Sequence, residues 1–138
     1  MVVKMKRIKV LLVFVCLFGL TGCANTLKCS IETSNYDANV KIKFKDDKPI
    51  SYKYKDVMRF SENSSDAEIY YHSKYNDYSN LISDKLAHVR NKPDGVYVKI
   101  NYDFNKNNSL GESALLIGRN DTKKIASEKI ESLGYTCK

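Results

Sequence analysis

The sequence predicts an α+β domain, with a mainly antiparallel sheet of about four strands packed by one long helix and a C-terminal helix. Three observations predict it. Val40, Ile42 and Phe44 alternate with Lys41, Lys43 and Lys45, and Val96, Val98, Ile100, Tyr102 and Phe104 alternate through residues 96–104. A period of two is the mark of a strand with one buried and one wet face. Ile69 to Val89 contains neither Gly nor Pro, and Tyr71, Tyr75, Tyr78, Ile82, Leu86 and Val89 recur at helical spacing. The strands come in a run, followed by helix, strand and helix, which separates the two kinds of element as an α+β fold does.

The chain opens on Lys4, Lys6, Arg7 and Lys9, then the apolar run Val10 to Leu20. A bilayer-spanning helix needs about 20 residues, so this shorter run reads as the core of a signal peptide over residues 1–22. Thr21 and Gly22 are small, as a signal peptidase requires before its cut, and the next residue is Cys23. Leu20-Thr21-Gly22-Cys23 resembles the lipobox of bacterial lipoproteins at all four positions. That resemblance implies a Cys23 that becomes the new N-terminus and carries diacylglycerol on its thiol. The competing expectation is an ordinary secretory peptide cut near Ala24, or an uncleaved anchor. Cys16 is a poor rival, because bulky Phe14 and Val15 precede it.

Residues 23–27 form a short acylated tether, and 28–138 a single domain. Leu27 to Thr33 can form the first strand, with a turn over Ser34-Asn35-Tyr36-Asp37. The second strand follows, broken by Asp46-Asp47-Lys48-Pro49. Tyr52 and Tyr54 alternate with Lys53 and Lys55 in the third, which continues through Val57, Met58 and Phe60. A polar linker leads to Ser64 or Ser65 as N-cap, with Asp66 and Glu68 suiting the helix dipole. The long helix should lay its stripe across the sheet and end before Pro93 and Gly95. Residues 96–104 are the next strand. A helical turn fits between Gly111 and Gly118. Asp121 is placed to cap the last helix, with Ile125, Ala126, Ile130 and Leu133 inward and Gly134 at its C′ position.

Composition narrows function. The removed segment holds four basic and no acidic residues, so 23 basic and 16 acidic residues become 19 and 16, a net charge of +3 rather than +7. Much of the basic excess is targeting signal, and an exported destination also argues against nucleic acid as a partner. With Cys16 discarded and Cys23 acylated, Cys29 and Cys137 remain as one pair in an exported chain, and a disulfide is expected. Two unpaired thiols are the alternative. Two cysteines and two distant histidines show no metal-ligand spacing, and no cofactor is expected.

The lipobox cysteine, an early Cys29, the Lys-rich meander, one helix, the Val-rich strand and the closing Gly134-Tyr135-Thr136-Cys137-Lys138 resemble small bacterial lipoproteins of the YehR-like kind, families of unknown function. The resemblance implies an exported, lipid-anchored α+β domain at the outer face of the cell membrane. It transfers no catalytic residue.

Lys41, Lys43 and Lys45 share a parity, as do Lys53 and Lys55. If their strands pair, five ammonium groups lie on one exposed face, suited to anionic headgroups or phosphate-rich wall polymers. Lysines on a wet strand face also deter edge-to-edge pairing, and from the sequence that reading is favoured. Asp103, Asn105, Asn107 and Leu110 imitate a calcium loop, but Asn108 stands where Gly belongs and Ala114 where the bidentate Glu belongs. Asp84 and His88, four apart on the expected helix, lack any nucleophile beside them. His72 is isolated. The tyrosines suggest a core and rim that could line a ligand groove. The sequons at Asn63 and Asn107 mean little in a bacterial lipoprotein. The expectation is a non-enzymatic module for an envelope protein or anionic polymer. The alternative is a small-ligand binder using a groove between the long helix and the sheet, and an enzyme comes third.

Overall fold

The computed structural model describes residues 25–62, 64–106 and 117–138. The expected signal segment, Cys23, the two sequon asparagines, most of the calcium-loop imitation and nearly all of the turn expected over 111–118 lie outside them. The elements run β1 (Thr26–Glu32), β2 (Tyr36–Lys45), β3 (Lys48–Arg59), α1 (Ser65–Asp77), α2 (Ser79–Ser83), β4 (Ala87–Lys92), β5 (Gly95–Asp103), α3 (Lys123–Glu131) and β6 (Thr136–Cys137). The strands form one sheet in the order β4-β5-β3-β2-β1-β6, antiparallel at every step. The α+β class and antiparallel sheet are as expected. The count is not: the described residues hold six strands and three helices instead of four strands and one long helix with a terminal one.

Alternation decides the layering. Leu27, Cys29, Val40, Ile42, Phe44, Tyr52, Tyr54, Val96, Val98, Ile100 and Tyr102 are buried on one face, while most of the residues that alternate with them are exposed or half-buried on the other. The helices pack on the buried face, α1 against β4 and β5 and α3 against β1 and β6. β2 and β3 are joined by Asp46 and Asp47, both at left-handed φ (52° and 56°), the tight two-residue turn whose twist suits a hairpin. Pro49 lies inside β3, opposite Phe44 where the register shifts, so its missing N–H falls at an irregularity of the ladder. Gly95 has no room for a side chain, since a Cβ there would meet the Met58 carbonyl oxygen at 2.6 Å.

The expected helix over residues 69–89 is corrected. It breaks at Tyr78, ends at Ser83, and residues 87–92 form the edge strand β4. Lys85 takes φ 61° and donates its N–H to the Ile82 carbonyl, while Leu86 N–H reaches the Leu81 carbonyl. That pair of bonds is a Schellman C-cap, with lysine where glycine would have announced it. Beyond it, Ala87 and Val89 are buried and His88 and Arg90 exposed, a period-two pattern that the helical stripe had concealed. Tyr75 is 44% exposed, so the stripe is not fully inward, whereas Ala67 and Leu81 are buried and Tyr70 and Tyr78 half-buried.

The last helix is also shifted. Thr122 is the N-cap, its Oγ accepting from Ile125 N–H, while Asp121 accepts from Gly118 N–H and pairs with Lys129 at 2.7 Å. Ala126 and Ile130 are buried, but Ile125 and Leu133 are exposed at 42% and 49%. Gly134, at φ 98°, sits one residue beyond the expected C′ position. Cys29 and Cys137 stand directly opposite each other in β1 and β6 and are joined, with an S–S distance of 2.04 Å. Among the described residues no helix is long and apolar enough to cross a membrane.

Candidate functional site

The face of the sheet opposite the helices is lined by polar side chains, and their register makes a basic lattice. Lys41 lies directly opposite Lys53 on one side and Lys28 on the other, and Lys28 exchanges both backbone hydrogen bonds with Lys138. Four lysines thus stand side by side across adjacent chain segments. Lys55 lies opposite Lys99, which lies opposite His88. Lys43 is opposite Thr26 and Ser51, and Lys45 opposite Lys48 at the hairpin. Directly opposed residues are separated by about 5 Å, and successive residues on one face of a strand by about 7 Å. Between the hairpin and the Lys55 row, Asp103 is the one carboxylate at these positions.

The five lysines singled out in the sequence therefore share one face. Lys28, Lys48, Lys99, Lys138 and Arg90 join them; they were missed because their strands were not paired or, for β4, not expected. Guarding an edge does not explain the lattice, because β2 and β3 are interior strands and the edges are β4 and β6. Folding energetics run the other way. Like charges directly opposite one another are destabilising, on the order of a few tenths of a kcal/mol per pair, and this face holds five such Lys–Lys pairs. Apart from Asp103, the carboxylates of β1, β2 and β3 on this face stand at the far end, where Asp37 pairs with Arg59 beside Glu32.

Among the described residues three concavities indent this face, and the one of about 360 Å³ beside Ser51, Lys53, Asn101 and Lys106 holds the carboxylate Asp103; the other two lie in the basic rows. One, of about 370 Å³, runs among Lys28, Ser30, Asn39, Lys41, Thr136 and Lys138. The other, of about 420 Å³, is lined by Lys55, His88, Arg90, Lys92, Tyr97 and Lys99, with Val98 and the 5%-exposed Asp56 at its floor. A larger cleft, about 760 Å³, lies elsewhere, between the start of α1 and the β4–β5 turn, lined by Phe60, Glu68, Ile69, Asn91 and Pro93 among others.

Beneath the sheet, Asp56 is buried beside two tyrosines. Tyr54 donates to its Oδ2 at 2.5 Å and Tyr36 at 3.2 Å, and the two hydroxyl oxygens are 3.1 Å apart. Burial holds the Asp56 carboxyl above the usual carboxylate range; the two hydroxyls, the Lys74 charge and the Val98 N–H pull downward without cancelling it. Burial raises Tyr36 and Tyr54 as well, and pushes Tyr70 and Tyr78 up to about 12. With Asp56 only 5% exposed, this cluster specifies the core. No local pattern signals it beyond an acid at an inward position of β3.

The Asp84–His88 pair does not form on one helix: Asp84 is the C-cap of α2 and His88 an outward residue of β4. His72 pairs with Glu68 one helical turn away at 3.2 Å on the exposed side of α1. Among the described residues, no three or more His, Cys, Asp or Glu side chains are grouped to hold a metal. Comparisons with protein families, curated proteins and solved structures find no match to this chain.

Proposed function

We propose that this chain is a membrane-anchored, extracytoplasmic bacterial lipoprotein, held by lipid on Cys23, that serves as a non-enzymatic binding module for an anionic envelope polymer. The observation that carries the reading is the register of lysines on the open sheet face. Solubility asks for charge of both signs, dispersed. A single sign arranged in opposed pairs across interior strands costs stability and is accounted for by a ligand that neutralises it. Each lysine near an anionic surface contributes about 1 kcal/mol, so attraction grows with the number engaged together. The resemblance to YehR-like lipoproteins adds an exported setting and no activity.

A small ligand in a helix–sheet groove is the second reading, supported by the cleft at the start of α1, where Ile69 is 68% exposed beside Phe60 and Pro93. Covalent crosslinking of the lipidated protein on intact cells, followed by mass spectrometry, separates the possibilities. Polymer fragments attached to Lys41, Lys43, Lys45, Lys53 or Lys55 are the expected result. One reproducible protein partner captured at other residues would overturn the polymer reading and make the chain an accessory subunit.

A further inference from the structure

The basic lattice is not uniform, and its β4 side is built differently from the rest. Lys55, Lys99 and His88 form one transverse row, and Tyr97 and Arg90 the next. Lys92 follows and folds back, its Nζ 4.6 Å from the centre of the Tyr97 ring. Tyr97 donates its hydroxyl to Asp94 at 2.6 Å, and that bond holds the Asp94 carboxyl below its usual range. Asp94 thereby fixes the ring that forms one wall of the 420 Å³ concavity. Among the described residues, no carboxylate pairs with Lys55, Lys99 or Arg90.

Unpaired cations converging on a concavity of small-ligand size specify an anion. The charge count narrows its class. An isolated carboxylate is neutralised by one partner, whereas a phosphodiester presents two strong non-bridging acceptor oxygens and one charge, and a polymer or lipid surface of them brings further phosphates within reach of the same cations. Arginine's planar fork matches two of those oxygens at once, and lysines add point charges around it. His88 supplies a ring N–H in either protonation state.

The geometry points to a phosphate-binding subsite formed by Lys55, His88, Arg90, Lys92 and Lys99 against Tyr97, receiving a phosphate ester of the ligand that spans the lattice. It rests on the polymer reading and narrows that ligand to one bearing phosphate. A wall polymer and a lipid headgroup share this chemistry.

The test titrates the full chain with inorganic phosphate, followed by amide NMR shifts. Parallel titrations use soluble poly(glycerol phosphate) and phosphatidylglycerol vesicles. Saturable shifts confined to the strands around Arg90 and Lys99 are expected, weakened at least tenfold by Arg90→Gln and untouched by Lys124→Gln, an exposed position of α3 outside the lattice. Tighter binding of the soluble polymer than of vesicles assigns the phosphate to the wall, and the reverse assigns it to lipid. Shifts that never saturate, or that spread evenly over every lysine, overturn the subsite. So does an Arg90→Gln variant that binds phosphate as the wild type does. If phosphate ignores Arg90 while the polymer still binds through Lys43 and Lys53, only the subsite fails. If phosphate saturates the subsite but neither polymer nor vesicle binds, the subsite stands and the polymer reading fails.

Discussion

Replacing Cys137 with serine should cost this domain a large part of its stability. The Cys29–Cys137 bridge spans 108 residues, nearly the whole folded body. In the chain-entropy treatment a cross-link over a loop of that size removes about 4.7 kcal/mol of conformational freedom from the unfolded state. Against a typical total of 5–15 kcal/mol, that loss leaves little. For a domain of this length about 4 °C of Tm accompanies each kcal/mol, so a fall on the order of 15–20 °C is expected. The local consequence is as specific. β6 is two residues long, pairs with β1 alone and packs on α3, so without the bridge a short ladder, that packing and the two backbone hydrogen bonds between Lys28 and Lys138 are left to hold it. The C-terminal segment after α3 should become the first site of proteolysis. Thermal melts of oxidised wild type, reduced wild type and Cys137→Ser, with limited proteolysis of each, make the test. Reduced wild type and the variant should agree. A variant melting within 3 °C of the oxidised wild type would falsify a structural role for the bridge.

Lys43→Glu with Lys53→Glu changes four charge units on the open face, worth about 4 kcal/mol of polymer binding, or roughly a thousandfold in Kd by equilibrium dialysis. The fold should be kept or slightly strengthened, since Lys41 would then face a glutamate. The folded-state pKa of Asp56 lies above its unfolded value, so this group favours the fold most below the ordinary carboxylate pKa of about 3.9 and loses that contribution as pH rises through the folded value. Asp56→Asn should therefore raise Tm relative to wild type more at pH 8 than at pH 4; equal differences at the two values would contradict the burial cause. Lys85→Gly relieves the left-handed φ of 61° and should stabilise by about 0.5–1 kcal/mol in chemical denaturation, with Lys85→Val acting oppositely.

Period-two alternation is a strong signal because one register buries every apolar side chain and the other exposes them all, so β2, β3 and β5 were legible directly from residues 40–60 and 96–104. The stretch 71–89 misled for a physical reason. Tyr78, Ile82, Leu86 and Val89 fit a helical face, yet Ala87 and Val89 equally fit a strand, and the backbone of 87–92 finds its partners on the edge of β5. The reversal between these choices is made by Lys85 in a conformation whose sequence marker is glycine. Lys41, Lys43, Lys45, Lys53 and Lys55 could be assigned a common face only on the condition that their strands pair. Whether those strands were edges or interior, and so what their lysines were for, depended on β1, β5 and β6 flanking them, which no local pattern contains.

The most direct measurement of the central claim is the salt dependence of binding between the full-length protein and a soluble phosphate-bearing polymer such as poly(glycerol phosphate). An electrostatic lattice binds by releasing counterions, so log Kd should rise linearly with log salt with a slope of several ions, and the Lys43→Glu, Lys53→Glu variant should show a smaller slope. A Kd that is the same at low and high salt, or no binding at low salt, would contradict the claim.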